Sequence, residues 1–585
     1  MTRHGIHQRG ACLKNTTERR VYRVHPCFKV VLVMVLVGIG AIQASGQVQE
    51  HAEHALGTVD FPVSCSEQAQ VEFNRAVALL HHMTYPQARE AFQQVAKTEP
   101  RCAMAHWGIA MTLFQPLWPT RPGPEERRRG WEAVQKAQAL EPPTKRERLF
   151  VDAAAAFFRE PESSDYWERI RRWEQAMQRV YAAFPQDPEA AAFYALAHLA
   201  TAPSDRISRA HSDRAAKLLL DVYERNPDHP GAMHYLVHAN DVPGRERESL
   251  EIIRKYETVA PHNPHALHMP THIHTRLGDW DAVIRGNLRA AEAALKHPAG
   301  DHGQFVWDEF PHAIEYLVYA HLQKGADDKA AAQLERLQGT ARLEPSFKTA
   351  FHLASTQARY ALERRAWNEA MSLAPREPST LDWDRFLWPE AVTWFARGLG
   401  AAREGAVQEA RLAAKRLEEL ETAATKAGED LFTRSIRVLR LAVFAWLAHA
   451  EEDKKSSVAL MRAAADLELF TPKHAVTPGP TLPAYELLGD LLLEQAHPAE
   501  ALVAYQRSLD LYPRRFNSLL GAARAARASG DEFLARTFYR ELLDLADGGT
   551  RESALEEARR FVFQQRAHPD QPSNGRRQAG WQRGG

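Results

Sequence analysis

Cysteine is nearly absent from this sequence: four in 585 residues, two of which, Cys12 and Cys27, fall in the first 46. Nothing resembles a CxxC metal or redox pair. Neither charge is in surplus, since lysine plus arginine and aspartate plus glutamate both number 74. Without a basic excess there is no electrostatic footprint for nucleic acid, and an anionic membrane surface is disfavoured for the same reason. The apolar run at residues 30–42 is 13 residues long, short for a membrane span. P-loop, HExxH and GxSxG motifs are missing. Gly38-Ile39-Gly40 lies in the N-terminal segment and Gly398-Leu399-Gly400 in a helical pattern with no strand before it, so neither reads as a nucleotide site. From Val48 onward no convincing strand is seen.

The N-terminal segment carries its own signal. Arg3, Arg9, Lys14, Arg19, Arg20, Arg23 and Lys29 precede the apolar run, and Ala44-Ser45-Gly46 supplies small residues for cleavage before Gln47. Residues 1–46 therefore read as a signal peptide, with an uncleaved anchor as the alternative. The expected location is periplasmic or secreted, with no stable membrane insertion after cleavage. Export leaves Cys65 and Cys102 as an even pair in an oxidising compartment, where a disulfide is expected; two buried thiols are the alternative.

The mature part is dominated by apolar residues at helical spacing. Near its C-terminus Tyr485, Leu488-Gly489, Leu492, Ala501, Tyr505 and Pro513 follow the 34-residue tetratricopeptide (TPR) pattern, and Leu519, Ala522-Ala523, Gly530-Asp531, Ala535 and Tyr539 continue it in register. Ala88, Phe92 and Pro100 close an early unit that begins near Ala69, and His106-Trp107-Gly108 open another. Further units fit at 189–227, 230–261, 264–297, 311–344 and 391–424. One hairpin cannot bury its apolar stripe, so neighbours must stack. The predicted fold is all-α: a TPR α-solenoid of stacked helical hairpins with irregular loop insertions at 115–130, 296–310, 373–390 and 468–484. The expected division is an extended segment at 47–66, the solenoid at 67–470, a proline-rich linker or lid at 471–483, a C-terminal TPR pair at 484–563 and a disordered tail at 564–585.

Histidine breaks the background. Residues 229–274 hold eight of the chain's 27 histidines, where even scatter would give about two. His234 and His238 are four apart, His268 and His272 are four apart, and the second pair follows the first by 34 residues. An i, i+4 pair shares one helix face, and a spacing of one repeat puts both pairs at equivalent positions of adjacent hairpins. The four imidazoles are therefore expected on one patch of the concave side, as ligands for Zn²⁺ or Cu²⁺. His265, His312, Glu315 and Asp241 are possible additional ligands or outer partners. A polar groove for a peptide or small ligand is the competing reading, and purely structural histidines the third. His81-His82, His51 and His54 read as ordinary surface or packing residues.

Four segments, FPVSCSEQAQVEF with RCAMAHWGIAM, MHYLVHANDVP, HALHMPTHIHTRLGDW and HAVTPGPTLPAYELLGDLLLE, span about 61 to 493. In them the chain resembles a family of exported bacterial TPR proteins with HYxxHA and HxxHMPxHI segments. The resemblance implies a shared special groove and supplies no reaction. The function expected from all this is a periplasmic or secreted binding or scaffold protein whose His-rich concave groove takes a protein, peptide or small ligand. The alternative is a Zn- or Cu-binding protein with a four-His site, with a metal-dependent enzyme as its extension. The partner is a protein or peptide and not nucleic acid.

Overall fold

A computed structural model describes residues 55–163, 165–300 and 302–563. The expected signal peptide, the start of the extended segment, His51, His54 and the tail at 564–585 lie outside the described residues.

Within them the chain is all-α: twelve helical hairpins, from Glu67–His81 with Tyr85–Thr98 to Phe516–Ala528 with Glu532–Leu545, then a closing helix Glu552–Phe563. Each helix packs on the next along the chain, as a solenoid requires. Small residues set the helix spacing: a Cβ on Gly108 would lie 2.3 Å from the Phe92 ring, so the second hairpin can approach the first only with glycine there. The repeat pattern passed over three hairpins, Lys145–Phe158 with Tyr166–Ala183, Phe347–Glu363 with Trp367–Met371, and Asp430–Ala450 with Lys454–Phe470. The expectation of no strand is corrected in one place: Pro298–Ala299 and Phe305–Val306 pair antiparallel inside the insertion before helix Glu309–Gln323.

The helices that matter below begin alike. Asp187, His229 and Asn263 each accept a backbone N–H with the side chain, and a proline follows at the first helical position. The proline has no N–H to leave unsatisfied and its fixed φ suits the first turn.

Two tertiary features tie distant parts of the solenoid together. The stretch before Glu67 runs as a strap: Thr58 N donates to Asp228 O (2.9 Å), Phe61 is fully buried against Phe73, Trp107 and Phe150, and Cys65 is bonded to Cys102, their Cα atoms 5.4 Å apart. From the other end, the last hairpins fold back on the middle. Trp280 Nε1 donates to Arg514 O (2.8 Å), and the buried Arg515 guanidinium binds Tyr319 Oη (2.8 Å), Glu363 Oε1 (2.6 Å) and Glu486 Oε2 (3.0 Å). Among the described residues no helix is long and apolar enough to cross a membrane.

Candidate metal centre

Helices Pro230–Asn240 and Pro270–Leu277, the short helix Pro264–His268 and helix Glu309–Gln323 bring six imidazoles together. Pro270 removes a backbone donor between His268 and His272, which divides that helix in two. The rings form two sets of three, His234/His238/His265 and His268/His272/His312, and in each set the ligating nitrogens lie within 4.8 Å of one another. The four rings expected on one patch are neighbours, but ligand spacing does not group them as one set of four. His234 and His238 belong to one set, His268 and His272 to the other, and His265 and His312, expected as additions, complete the two. Five of the six are at most 2% exposed; His238 is the half-buried one.

The outward nitrogens decide how the inward ones are charged. His234 Nδ1 donates to the carbonyl of His81 (2.6 Å), which can only accept. Asn287 Nδ2 donates to Val283 O (2.9 Å), so its Oδ1 is the atom that takes the proton of His268 Nδ1 (2.7 Å). His272 Nδ1 donates to Asp241 Oδ2 (2.9 Å). His312 Nδ1 reaches His352 Nε2 (2.8 Å), whose own Nδ1 donates to Glu315 Oε2 (2.5 Å). His265 Nδ1 sits 3.1 Å from Glu309 Oε2, off the line of a hydrogen bond. With Nδ1 protonated, His234, His268, His272 and His312 each present an Nε2 lone pair inward. These atoms crowd together: His234 Nε2 is 3.1 Å from both His238 Nε2 and His265 Nε2, and His268 Nε2 is 3.0 Å from His272 Nε2.

Burial pushes His234, His238, His268 and His312 well below the ordinary imidazole value, neighbouring rings adding to the effect. Burial lowers His272 as well, against the pull of Asp241. Burial thus favours the neutral form of these five rings, the form in which imidazole binds a metal. The carboxylates around them stay ionised. Burial alone would raise Asp241, yet Lys473 (2.8 Å) and Arg276 (2.5 Å) hold it well below its usual range. Glu309 is held low by Lys348, and Glu315 by His352 and Arg359.

Neither Glu315 nor Asp241 enters a donor set; both act on histidines from outside. His352 was not expected from sequence. It stands 40 residues after His312, and the segment ending at the cap Ser346 breaks the 34-residue register that exposed the other pairs. His81 and His82 are not surface residues either. Both are fully buried, His81 Nε2 bonds Glu189 Oε2 (2.7 Å), and Gly231 is required beside it, since a Cβ there would lie 2.4 Å from His81 Nδ1. His81, Glu189 and His229 form a third group with ligand spacing. There Ala232 N donates to His229 Nδ1, which turns a protonated Nε2 toward Glu189 (3.2 Å), so protons already fill it.

A cavity of about 230 Å³ ends at His238 and Asp241. Trp118, Trp167, Leu199, Phe432 and Tyr512 contribute to its walls, and Lys473 and His474, from the proline-rich stretch, close one side. Gly479 O and Pro480 O of the same stretch accept from Arg359 (3.1 and 2.8 Å).

No protein-family model matches this chain, and no curated protein sequence does. Among solved structures it is similar to the crystal structure of the APC/C hetero-tetramer Cut9–Hcn1, at 14% identity over 84% of this chain and 90% of that one, with a TM-score of 0.30. The yeast Tom70 crystal structure is similar at 13% identity, 86% and 97% coverage and a TM-score of 0.30. An IFIT1 monomeric mutant with Gppp-AAAA gives 13% identity, 86% and 100% coverage and a TM-score of 0.35. Similarity at this level says nothing about what this chain binds.

Proposed function

We propose that this chain is an exported metalloprotein that holds two transition-metal ions, one in each three-histidine set. One observation carries the reading: His268 and His272 both spend their Nδ1 proton on an outer acceptor and then face each other with Nε2 lone pairs 3.0 Å apart. Two buried acceptors aimed at each other repel, and burial disfavours the proton that would join them. A Lewis acid bound by both removes the repulsion. The outer partners fit too: a ligating histidine ordinarily donates its other N–H to a carboxylate, carbonyl or amide oxygen, which fixes tautomer and orientation. Imidazole nitrogens suit zinc and copper. The basic and apolar N-terminal segment and the bonded pair Cys65–Cys102 support export to an oxidising compartment.

A stacked-hairpin solenoid is also an architecture that serves protein binding, and the chain is built as such a scaffold. The buried histidines favour the metal reading over a peptide groove, because a groove residue must reach its ligand and five of these six do not reach solvent.

The test is elemental analysis of untagged protein purified from the periplasm. Two zinc or copper ions per chain are expected, falling to one in His268→Ala and in His234→Ala variants whose circular dichroism is unchanged. A chain that stays metal-free after dialysis against both ions disproves the reading.

A further inference from the structure

The two sets are neighbours. Across them, the ring centroids of His238 and His272 are 5.9 Å apart and those of His265 and His268 are 6.1 Å apart. Two ions held one per set would be neighbours, and each would have only three protein ligands, which leaves coordination positions for a further molecule.

Charge narrows which ions these are. All six ligands are imidazoles, which bind a metal as neutral rings. The nearest carboxylates, Asp241, Asp308, Glu309 and Glu315, are met by Arg276, Lys473, Lys348 and Arg359. Four anions against four cations leave the surrounding shell with no net charge to offset the metal. The cost of burying an ion in a low-dielectric core grows with the square of its charge. Two dications bring +4 into this core and two monocations only +2. Copper is the imidazole-seeking metal with an accessible monovalent state; zinc has none.

We propose, on the two-ion reading above, that the sets form one dinuclear copper centre, cuprous at rest, whose substrate is dioxygen. Each Cu⁺ gives up one electron. The two electrons enter O₂, the O–O double bond becomes the single bond of peroxide, and two Cu²⁺ ions bridged by O₂²⁻ result. No proton is taken up. The net charge is +2 before and after, so the step brings no additional charge into the buried core. The cavity reaches the centre at His238, the half-buried ligand, and Leu199, Phe432 and the two indoles give it apolar wall beside the charged Arg276 and Lys473, which leaves room for an uncharged gas.

The full mature chain, made metal-free and loaded without oxygen from cuprous chloride in acetonitrile, tests this after gel filtration. Two coppers per chain are expected. On adding air-saturated buffer, one O₂ should be consumed per two coppers, a near-ultraviolet charge-transfer band should appear, and the oxidised pair should give no paramagnetic resonance signal. His272→Gln should keep one copper and lose both band and uptake; His312→Gln, on a different helix, does the same should the first variant fold poorly. Two retained coppers that do not take up O₂, or that oxidise to two separate resonance signals, overturn the dinuclear proposal while the metal reading stands. Two zinc ions retained in preference to copper do the same. A chain that holds neither metal sinks both.

Discussion

His268 and His272 point their Nε2 atoms at each other across 3.0 Å, and neither has a proton to offer, because Asn287 and Asp241 hold the other nitrogen of each ring as the donor. That contact is the reverse of a hydrogen bond. Packing from outside holds the rings in it; on the proposed reading a cation between them would bind both, and the first prediction concerns an outer partner.

Asp241→Asn removes the anion that orients His272 and anchors Lys473 of the proline-rich stretch. Metal affinity at the His268/His272/His312 set should fall about 10–100-fold, read by competition with a chromophoric chelator. The other set should be unaffected. Unchanged affinity would show that Asp241 does not fix the His272 tautomer.

Arg515→Met tests the fold-back of the last hairpins. The variant leaves the buried carboxylates of Glu363 and Glu486 without their shared cation, at a cost of about 3–5 kcal/mol. The denaturation midpoint should drop and the segment after Pro513 should become sensitive to protease. A midpoint within error of the parent would mean that the docking does not depend on this ion cluster.

Glu468 gives a pH dependence. Burial pushes its carboxyl from the ordinary 4.5 up to about 8, with Ala484 N–H and Arg515 opposing and Glu486 assisting. A carboxyl whose folded value is raised stabilises the protein fully below its unfolded value and loses that contribution as pH climbs through the folded value. Stability should therefore decline between about pH 5 and about pH 9, by roughly 1–2 kcal/mol for this partly accessible group. Glu468→Gln should flatten that decline in urea titrations at the two pH values. A slope as steep in the variant assigns the decline to other groups.

Reduction of Cys65–Cys102 opens a link spanning 37 residues. Loop-closure entropy puts the loss at up to about 4 kcal/mol. Dithiothreitol and Cys102→Ser should lower the melting temperature alike, and dithiothreitol should do nothing further to the variant.

Much of this was legible in the chain. The 34-residue offset between His234 and His268 exposes the pairs, because a repeat returns each position to the same helix face. His265 follows from its place one turn before His268. Asp241 and Glu315 could be named from proximity in sequence but not assigned a role, since a carboxylate near a histidine can ligate or orient. His352 and Asn287 were not found: the first sits past an insertion that breaks the register, and the second faces the site from the second helix of its hairpin. His81, read as a surface or packing residue, is a packing residue whose contribution to the site is a backbone carbonyl, which no side-chain pattern reveals. The hairpin Lys145–Phe158 with Tyr166–Ala183 escaped for a related reason. Its signature is a capping box at Thr144 and Glu147, which marks a helix start but not a repeat.

The sequence by itself determined the helices, their caps, their stacking order and the four paired histidines, because all of these depend on interactions a few residues apart or on a fixed repeat length. Only the tertiary structure decided that six rings divide into two sets of three and that Asp241 and Glu315 stand outside them. It also decided that the hairpins near Arg515 fold back on the middle of the solenoid. Those outcomes depend on the curvature of stacked hairpins and on contacts such as Arg515 with Glu363, 152 residues away, and no local pattern encodes where two distant segments meet.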